Sequence, residues 1–315
     1  MNIMINSYCN LKCPYCFANN EINLCEEKNM TRENFIKIIN FLKSSKTKNT
    51  DIRIIGGEPT IHPKFIEFIK IVVDDPFFQH IHIFSNMTFP IEIAYALIEF
   101  SNKKEISILP NFNDIDISKD KFELIVKNIK LLRKKKIITT IGINIYNPNQ
   151  DLNSLYRLVK ETRIKKIRWT IVSPNKKIDK DFDLKKYFNG FYDKLIEFFD
   201  FAVENRCILN LDCASIPLCA FTKEQVYELI IRNPNFLKNR ECGISLDINP
   251  KLEVFRCFAL SDYYKVKIEN NSSMSDIYSD IKNNVKEDMV LFEECKECPR
   301  YKLNGKSCAC LAYKI

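Results

Sequence analysis

The sequence predicts an α/β protein: a parallel sheet, open or curled into a partial barrel, followed by a small cysteine-rich C-terminal domain. Two observations carry this. Six apolar, β-branched runs alternate with amphipathic stretches between residues 3 and 172, the mark of successive β-α units. Beyond residue 206 that alternation stops, and eight of the thirteen cysteines crowd into residues 213–310.

The predicted strands run over residues 3–6, 52–55, 81–84, 106–109, 138–145 and 167–172. Between them, "TRENFIKIINFLKSS" has Thr31 placed to cap a helix. In "KDKFELIVKNIKLLRKKK", Phe122, Ile125, Ile129 and Leu132 recur at helical spacing. The basic run Arg133–Lys136 closes that helix, where cations favour the negative dipole end. It therefore reads as a solvated helix end rather than a nucleic-acid patch. A long helix over 184–205 ends the region. The expected division is a domain of residues 1–206 and a second of residues 207–315, with no Gly/Ser-rich linker between them.

The chain has 315 residues and a net charge of +8. Its opening "MNIMINSYC" lacks the apolar core of a signal peptide, and the longest apolar stretches, such as "IITTIGINIY", are too short to span a bilayer. The expectation is a cytoplasmic protein with neither membrane nor nucleic acid as partner. Thiols stay reduced there, so the cysteines read as metal ligands rather than disulfides. Cys25 and Cys207 have no partner at ligand spacing and read as small apolar residues.

Cys9, Cys13 and Cys16 form a C-x3-C-x2-C array in "SYCNLKCPYCFANN". It follows the first predicted strand and so lies at a strand's C-terminal end, where parallel sheets place their chemistry. Three thiolates hold three irons of a 4Fe–4S cube and leave the fourth iron open to an outside ligand. A ligand that chelates through an amine and a carboxylate suits that position, as the methionine end of S-adenosylmethionine does. One electron passed into the sulfonium then splits a carbon–sulfur bond.

"CNLKCPYC" together with "IIGGEPT" resembles the radical S-adenosylmethionine (SAM) superfamily. Tyr15 stands at the aromatic position of the family's cysteine motif. Gly56, Gly57, Glu58 and Pro59 match its GGEP motif, at the end of the second strand. The chain has only six glycines, so a Gly-Gly pair has a local purpose, the close approach of another group. The resemblance implies a partial (β/α)6 TIM-type barrel that binds S-adenosylmethionine and one 4Fe–4S cluster at Cys9, Cys13 and Cys16. It implies Tyr15 beside the adenine and Glu58 at the cofactor's ammonium. Ser85 and Asn86, in "IFSNMT", and Asn144, in "GINIY", would be further cofactor contacts. Asn111 at the end of the fourth strand, Gly142 in the fifth and Arg168 in the sixth are further candidates facing the same mouth. His62 reads as a packing or capping residue.

The C-terminal cysteines fall into two sets: Cys213, Cys219, Cys242 and Cys257, then Cys295, Cys298, Cys308 and Cys310. Four thiolates suffice for a fully ligated cluster. The layout resembles the SPASM and twitch extensions of the same superfamily, which implies one or two auxiliary clusters. Two departures stand out. Leu252 occupies the position where the extension has glycine, five residues before Cys257. The gaps after "CKEC" are nine and one rather than five and three. Structural zinc is the rival reading of the second set.

The resemblance implies an oxidoreductase in which a 5′-deoxyadenosyl radical takes hydrogen from a substrate at the barrel mouth, between the two domains. The expected substrate is a ribosomally made peptide undergoing maturation, with flavodoxin or ferredoxin as electron donor. Because the first strand begins almost at Met1, leader recognition is expected from a separate protein. The alternatives are oxidation of the sulfatase-maturing or small-molecule type, and a non-catalytic iron–sulfur carrier or zinc scaffold. The GGEP motif speaks against the last.

Overall fold

The computed structural model describes residues 1–45, 50–115, 117–172, 182–212, 216–237, 243–271, 273–285, 293–298 and 302. The chain forms two compact units. The first comprises Met1–Asn111, Ile117–Ile138 and Ile244–Val285; the second takes in Phe112–Asp116 and Thr139–Gly243.

In the first unit the strands are β1 (Asn2–Met4), β2 (Asp51–Ile55), β3 (His80–Ser85) and β4 (Glu105–Phe112). They alternate with helices α1 (Asn19–Leu24), α2 (Arg32–Ser44), α3 (Phe65–Asp74) and α4 (Ile91–Ser101), and α5 (Lys119–Lys134) follows β4. β1, β2, β3 and β4 pair in parallel and in that order. The helices form where the sequence places them. Thr31 Oγ1 accepts from Asn34 N and caps α2, and Phe122, Ile125, Ile129 and Leu132 are the buried stripe of α5.

The second unit continues the same β-α alternation with β5 (Thr140–Ile145), α6 (Asn153–Thr162) and β6 (Lys166–Ile171). Six β-α units in succession give the expected α/β class, of the partial (β/α)6 barrel kind. Two details differ from expectation. The helix expected over 184–205 is two helices, α7 (Leu184–Asn189) and α8 (Tyr192–Glu204). The break falls at Asn189–Gly190, a pair with weak helix propensity, and lets Phe188 and Phe191 both bury completely. Residues 208–211 form a strand, β7 (Ile208–Leu211), which extends the parallel sheet beyond β6. α9 (Lys223–Arg232) follows, with a reciprocal Thr222–Gln225 capping box.

Residues 247–267 return to the first unit. β8 (Asp247–Ile248) pairs in parallel with β1 on the side away from β2. β9 (Glu253–Phe255) and β10 (Val266–Lys267) extend the sheet antiparallel, and α10 (Met274–Asn284) follows. Between β8 and β9, Leu252 adopts φ 63°. This is the position where the related extensions carry glycine, and the left-handed backbone explains the preference: a side chain there costs roughly 1–2 kcal/mol. Leu252 is almost fully buried, so its apolar contacts offset that strain.

Candidate active site

The loop after β1 carries Cys9, Cys13 and Cys16. Two backbone hydrogen bonds tie it to the end of β2: Gly57 N donates to Asn6 O at 3.0 Å and Glu58 N to Tyr8 O at 3.1 Å. The Asn6 side chain reinforces the junction, its Nδ2 donating to Glu58 O at 2.9 Å and Tyr8 O at 3.2 Å. This closeness explains the glycine pair. A Cβ on Gly57 would stand 2.1 Å from Tyr8 O, and one on Gly56 would stand 2.0 Å from Asn6 Oδ1. What approaches these glycines in this structure is the cysteine loop itself: a side chain at Gly57 would collide with its backbone, and one at Gly56 would displace the buried Asn6 side chain.

Below the loop lies an apolar cluster of Met4, Ala18, Ile55, Phe255 and Phe258, with Cys16 packed against it. Phe17 meets Phe258 edge-on at 5.6 Å. Glu21, fully buried on α1, receives Lys265 Nζ at 2.7 Å and Asn249 Nδ2 at 2.6 Å. The loop and its helix are therefore buttressed by residues more than two hundred positions away.

Glu58 is 1% exposed. Its Oε1 accepts from Thr60 N (3.2 Å), Thr60 Oγ1 (2.5 Å) and Ser85 Oγ (2.9 Å), and its Oε2 accepts from Asn86 N (2.7 Å). Burial pushes its carboxyl above the ordinary range, against the pull of those donors. Glu58 thus organises the turn after β2 and the turn after β3, and only Oε2 keeps capacity for another donor. Pro59 opens a single 3-10 turn behind it. Asn86 reaches the cysteine loop: its Nδ2 donates to Asn10 Oδ1 at 2.8 Å, and Asn10 Nδ2 donates to Thr88 Oγ1, also at 2.8 Å. The adjacent Met87 is buried with φ 66°. Asn128 of α5, fully buried, holds that strained turn by donating to Met87 O at 3.0 Å and Phe89 O at 2.8 Å.

The three thiols are half-buried, and each is raised above the usual cysteine range, first by burial. Cys13 is pushed up to about 12, with the charges of Cys16 and Cys9 next in importance and a hydrogen bond from Tyr15 opposing them. A soft, desolvated donor set of this kind fits an iron–sulfur cluster, whose positive irons deprotonate the ligands as they bind.

The structure brings Cys9, Cys13, Cys16, Tyr15, Gly56, Gly57, Glu58, Pro59, Ser85 and Asn86 together in the first unit. Asn144, at the end of β5, and Arg168, paired with Asp212, belong to the second. His62 packs on Phe68 and bonds Met30 O, as a packing residue does. Sequence reasoning missed Asn6, Asn10, Thr60, Thr88 and Asn128, whose roles come from contacts across strands. Only Asn6, Asn10 and Thr60 carried a signal, as polar residues beside the two motifs.

Of the C-terminal cysteines, Cys213, Cys242, Cys308 and Cys310 lie outside the described residues. Cys219 is exposed in the second unit, and Cys257 follows β9 in the first, next to Phe258. Cys295 and Cys298 form one turn, Cys298 N donating to Cys295 O at 3.0 Å. Residues three apart on such a turn share a face.

A thiol loop at a strand end, locked to a Gly-Gly-Glu turn on a parallel α/β sheet, defines an iron–sulfur enzyme scaffold. Residues 3–161, just over half the chain, match the family model of the Radical SAM superfamily, and the chain belongs to that superfamily. Its cofactors are S-adenosylmethionine and a 4Fe–4S cluster. No curated protein matches the chain in sequence. Among solved structures, SuiB of Streptococcus suis bound to S-adenosylmethionine is similar, with a TM-score of 0.57 and 17% identity. That match covers 99% of this chain and 68% of SuiB, and it shows the same fold. An enolase from Pseudomonas fluorescens Pf0-1 with bound magnesium, potassium and tartrate gives a TM-score of 0.33 at 11% identity, covering 66% of this chain and 41% of the enolase. QR15, an aldolase, gives 0.32 at 8% identity, covering 65% and 82%. Among the described residues no helix is long and apolar enough to cross a membrane.

Proposed function

We propose that this chain is a radical SAM enzyme that modifies a ribosomally made peptide. Cys9, Cys13 and Cys16 hold the cluster, and residues 207–315 supply ligands for one or two auxiliary clusters. The observation that carries the reading is the lock between the cysteine loop and the Gly56–Gly57–Glu58 turn, which joins the two motifs into one site. When bound there, a three-thiolate 4Fe–4S cluster supplies the electron that splits S-adenosylmethionine into methionine and a 5′-deoxyadenosyl radical. The residues around it have separable tasks. Glu58 fixes the turns after β2 and β3, and its Oε2 remains able to accept from the cofactor's ammonium. Asn86 and Asn10 hold the loop at Cys9. The buried Tyr15 lines the loop between Cys13 and Cys16, where the adenine docks.

The peptide substrate is supported by the cysteine-rich segment, whose layout resembles the SPASM and twitch extensions. A small reduced iron–sulfur or flavin protein, of the ferredoxin or flavodoxin kind, delivers the electron.

The test is anaerobic incubation of the reconstituted protein with dithionite and S-adenosylmethionine, alone and with short peptides encoded beside its gene. 5′-Deoxyadenosine should form with the native protein and vanish in the Cys9→Ala/Cys13→Ala/Cys16→Ala variant. A Cys295→Ala/Cys298→Ala variant should still form it, yet leave the peptide mass unchanged. Undiminished 5′-deoxyadenosine from the triple variant would sink the assignment.

A further inference from the structure

At their N-terminal ends, β2, β3 and β4 carry a second group of ligand-bearing side chains. Strand alternation buries Ile52, Ile54, Ile81, Ile83 and Ile106 and turns the intervening residues to the other face. Register places Asp51 beside His80 beside Glu105, and Arg53 beside His82 beside Ser107. Two of the chain's three histidines therefore stand at i and i+2 on one strand face. Their rings lie 3.8 Å apart, tilted by 33°.

The contacts are those of a ligand set with its supports. His82 Nε2 is 3.5 Å from Asp51 Oδ2. Its Nδ1 is 2.8 Å from Ser107 Oγ, and the same hydroxyl is 3.0 Å from His80 Nε2. One ligand atom each from Asp51, His80 and His82 lie within 4.8 Å of one another. Ligands around a tetrahedral zinc, at bond lengths of ~2.0–2.1 Å, stand roughly 3.3 Å apart. The Asp51–His82 pair already has that spacing, and small side-chain rotations bring His80 into it. Ser107 holds the imidazole orientation, as outer-shell hydrogen-bond partners do. Burial, then the charge of His80, keeps His82 below the usual histidine range. Two carboxylates, Asp51 and Glu105, face this group, with Arg53 and the Met1 ammonium as nearby cations, and Glu105 lies 3.7 Å from His80 Nδ1.

We propose that Asp51, His80 and His82 bind a divalent ion of the zinc class, which cross-links β2 and β3 at the end away from the chemistry. Two nitrogens and one carboxylate oxygen suit zinc and leave a fourth position for water. β3 separates this site from Ser85 by about 17 Å of strand. The ion's role is stabilising, through preferential binding to the folded state.

The experiment uses the cluster-loaded protein, titrated anaerobically with Zn2+ and desalted before elemental analysis. The wild type should retain about one zinc per chain more than a His80→Ala/His82→Ala variant of equal iron content. Asp51→Asn should weaken that zinc about tenfold, and Zn2+ should raise the melting midpoint of the wild type only. X-ray absorption at the zinc edge of the wild type gives a readout independent of how the variants fold. A nitrogen/oxygen shell near 2.0 Å supports the site. Equal zinc in wild type and variant, or a purely sulfur shell near 2.3 Å, would place the zinc on cysteines and overturn the proposal.

Discussion

Glu58 shows how one residue type serves two motifs. Its carboxylate takes four protein donors from three residues. Glu58→Gln puts a donor among donors, and the amide can point away from the crowded Oε1 side only by facing Asn86 N. Loss of that charge-assisted bond costs about 1.5–3 kcal/mol. The expected outcome is a lower urea midpoint together with weaker S-adenosylmethionine binding by isothermal titration. Unchanged stability with weakened binding would mean that Glu58 serves the cofactor alone. The identities of Cys9, Cys13, Cys16, Gly56, Gly57 and Glu58 were legible because local spacing encodes them. That Gly57 makes room for Tyr8 O was not, since this approach exists only once two strands pair.

Among the elements, the strand–helix alternation was readable because each amphipathic period is written locally. Thr31 and the α5 stripe did what their spacing implied. The break at Gly190 and the strand at 208–211 were not readable, because both depend on burial against other elements. Asn128 makes the same point from within a helix: a polar residue beside the apolar stripe of α5, it secures the turn after β3. Asn128→Ala would orphan two buried carbonyls, at about 1–3 kcal/mol each. A loss of a few kcal/mol in urea unfolding, accompanied by poorer iron retention from a loosened Asn86–Asn10 contact, is the expected result. Wild-type iron content in a destabilised variant would separate the turn from the cysteine loop.

The molecule as a whole closes its first sheet with a late segment. Asp247 of β8 is buried beside Asn2, whose Nδ2 donates to it at 2.6 Å. Burial pushes its carboxyl up to about 7, with Glu21 adding to the rise and Asn2 opposing it. Between its unfolded value of 3.8 and about 7, the folded carboxyl keeps a proton that the unfolded one has lost. Stability therefore falls as pH rises through that window, by up to about 1.4 kcal/mol per unit. Asp247→Asn should flatten that dependence. It should be more stable than wild type at pH 8 and converge with it near pH 4, as measured by urea unfolding at each pH. The placement of β8 beside β1 also has a consequence in time. During synthesis β1 emerges first and β2 joins it early, but its other neighbour lies roughly 190 residues further on. At about 5–20 residues per second, that is a wait of roughly ten to forty seconds. Throughout it the cysteine loop lacks both its apolar floor of Phe255 and Phe258 and the Lys265 tether to Glu21. The cysteine loop is therefore made well before residues 247–265 can seat it.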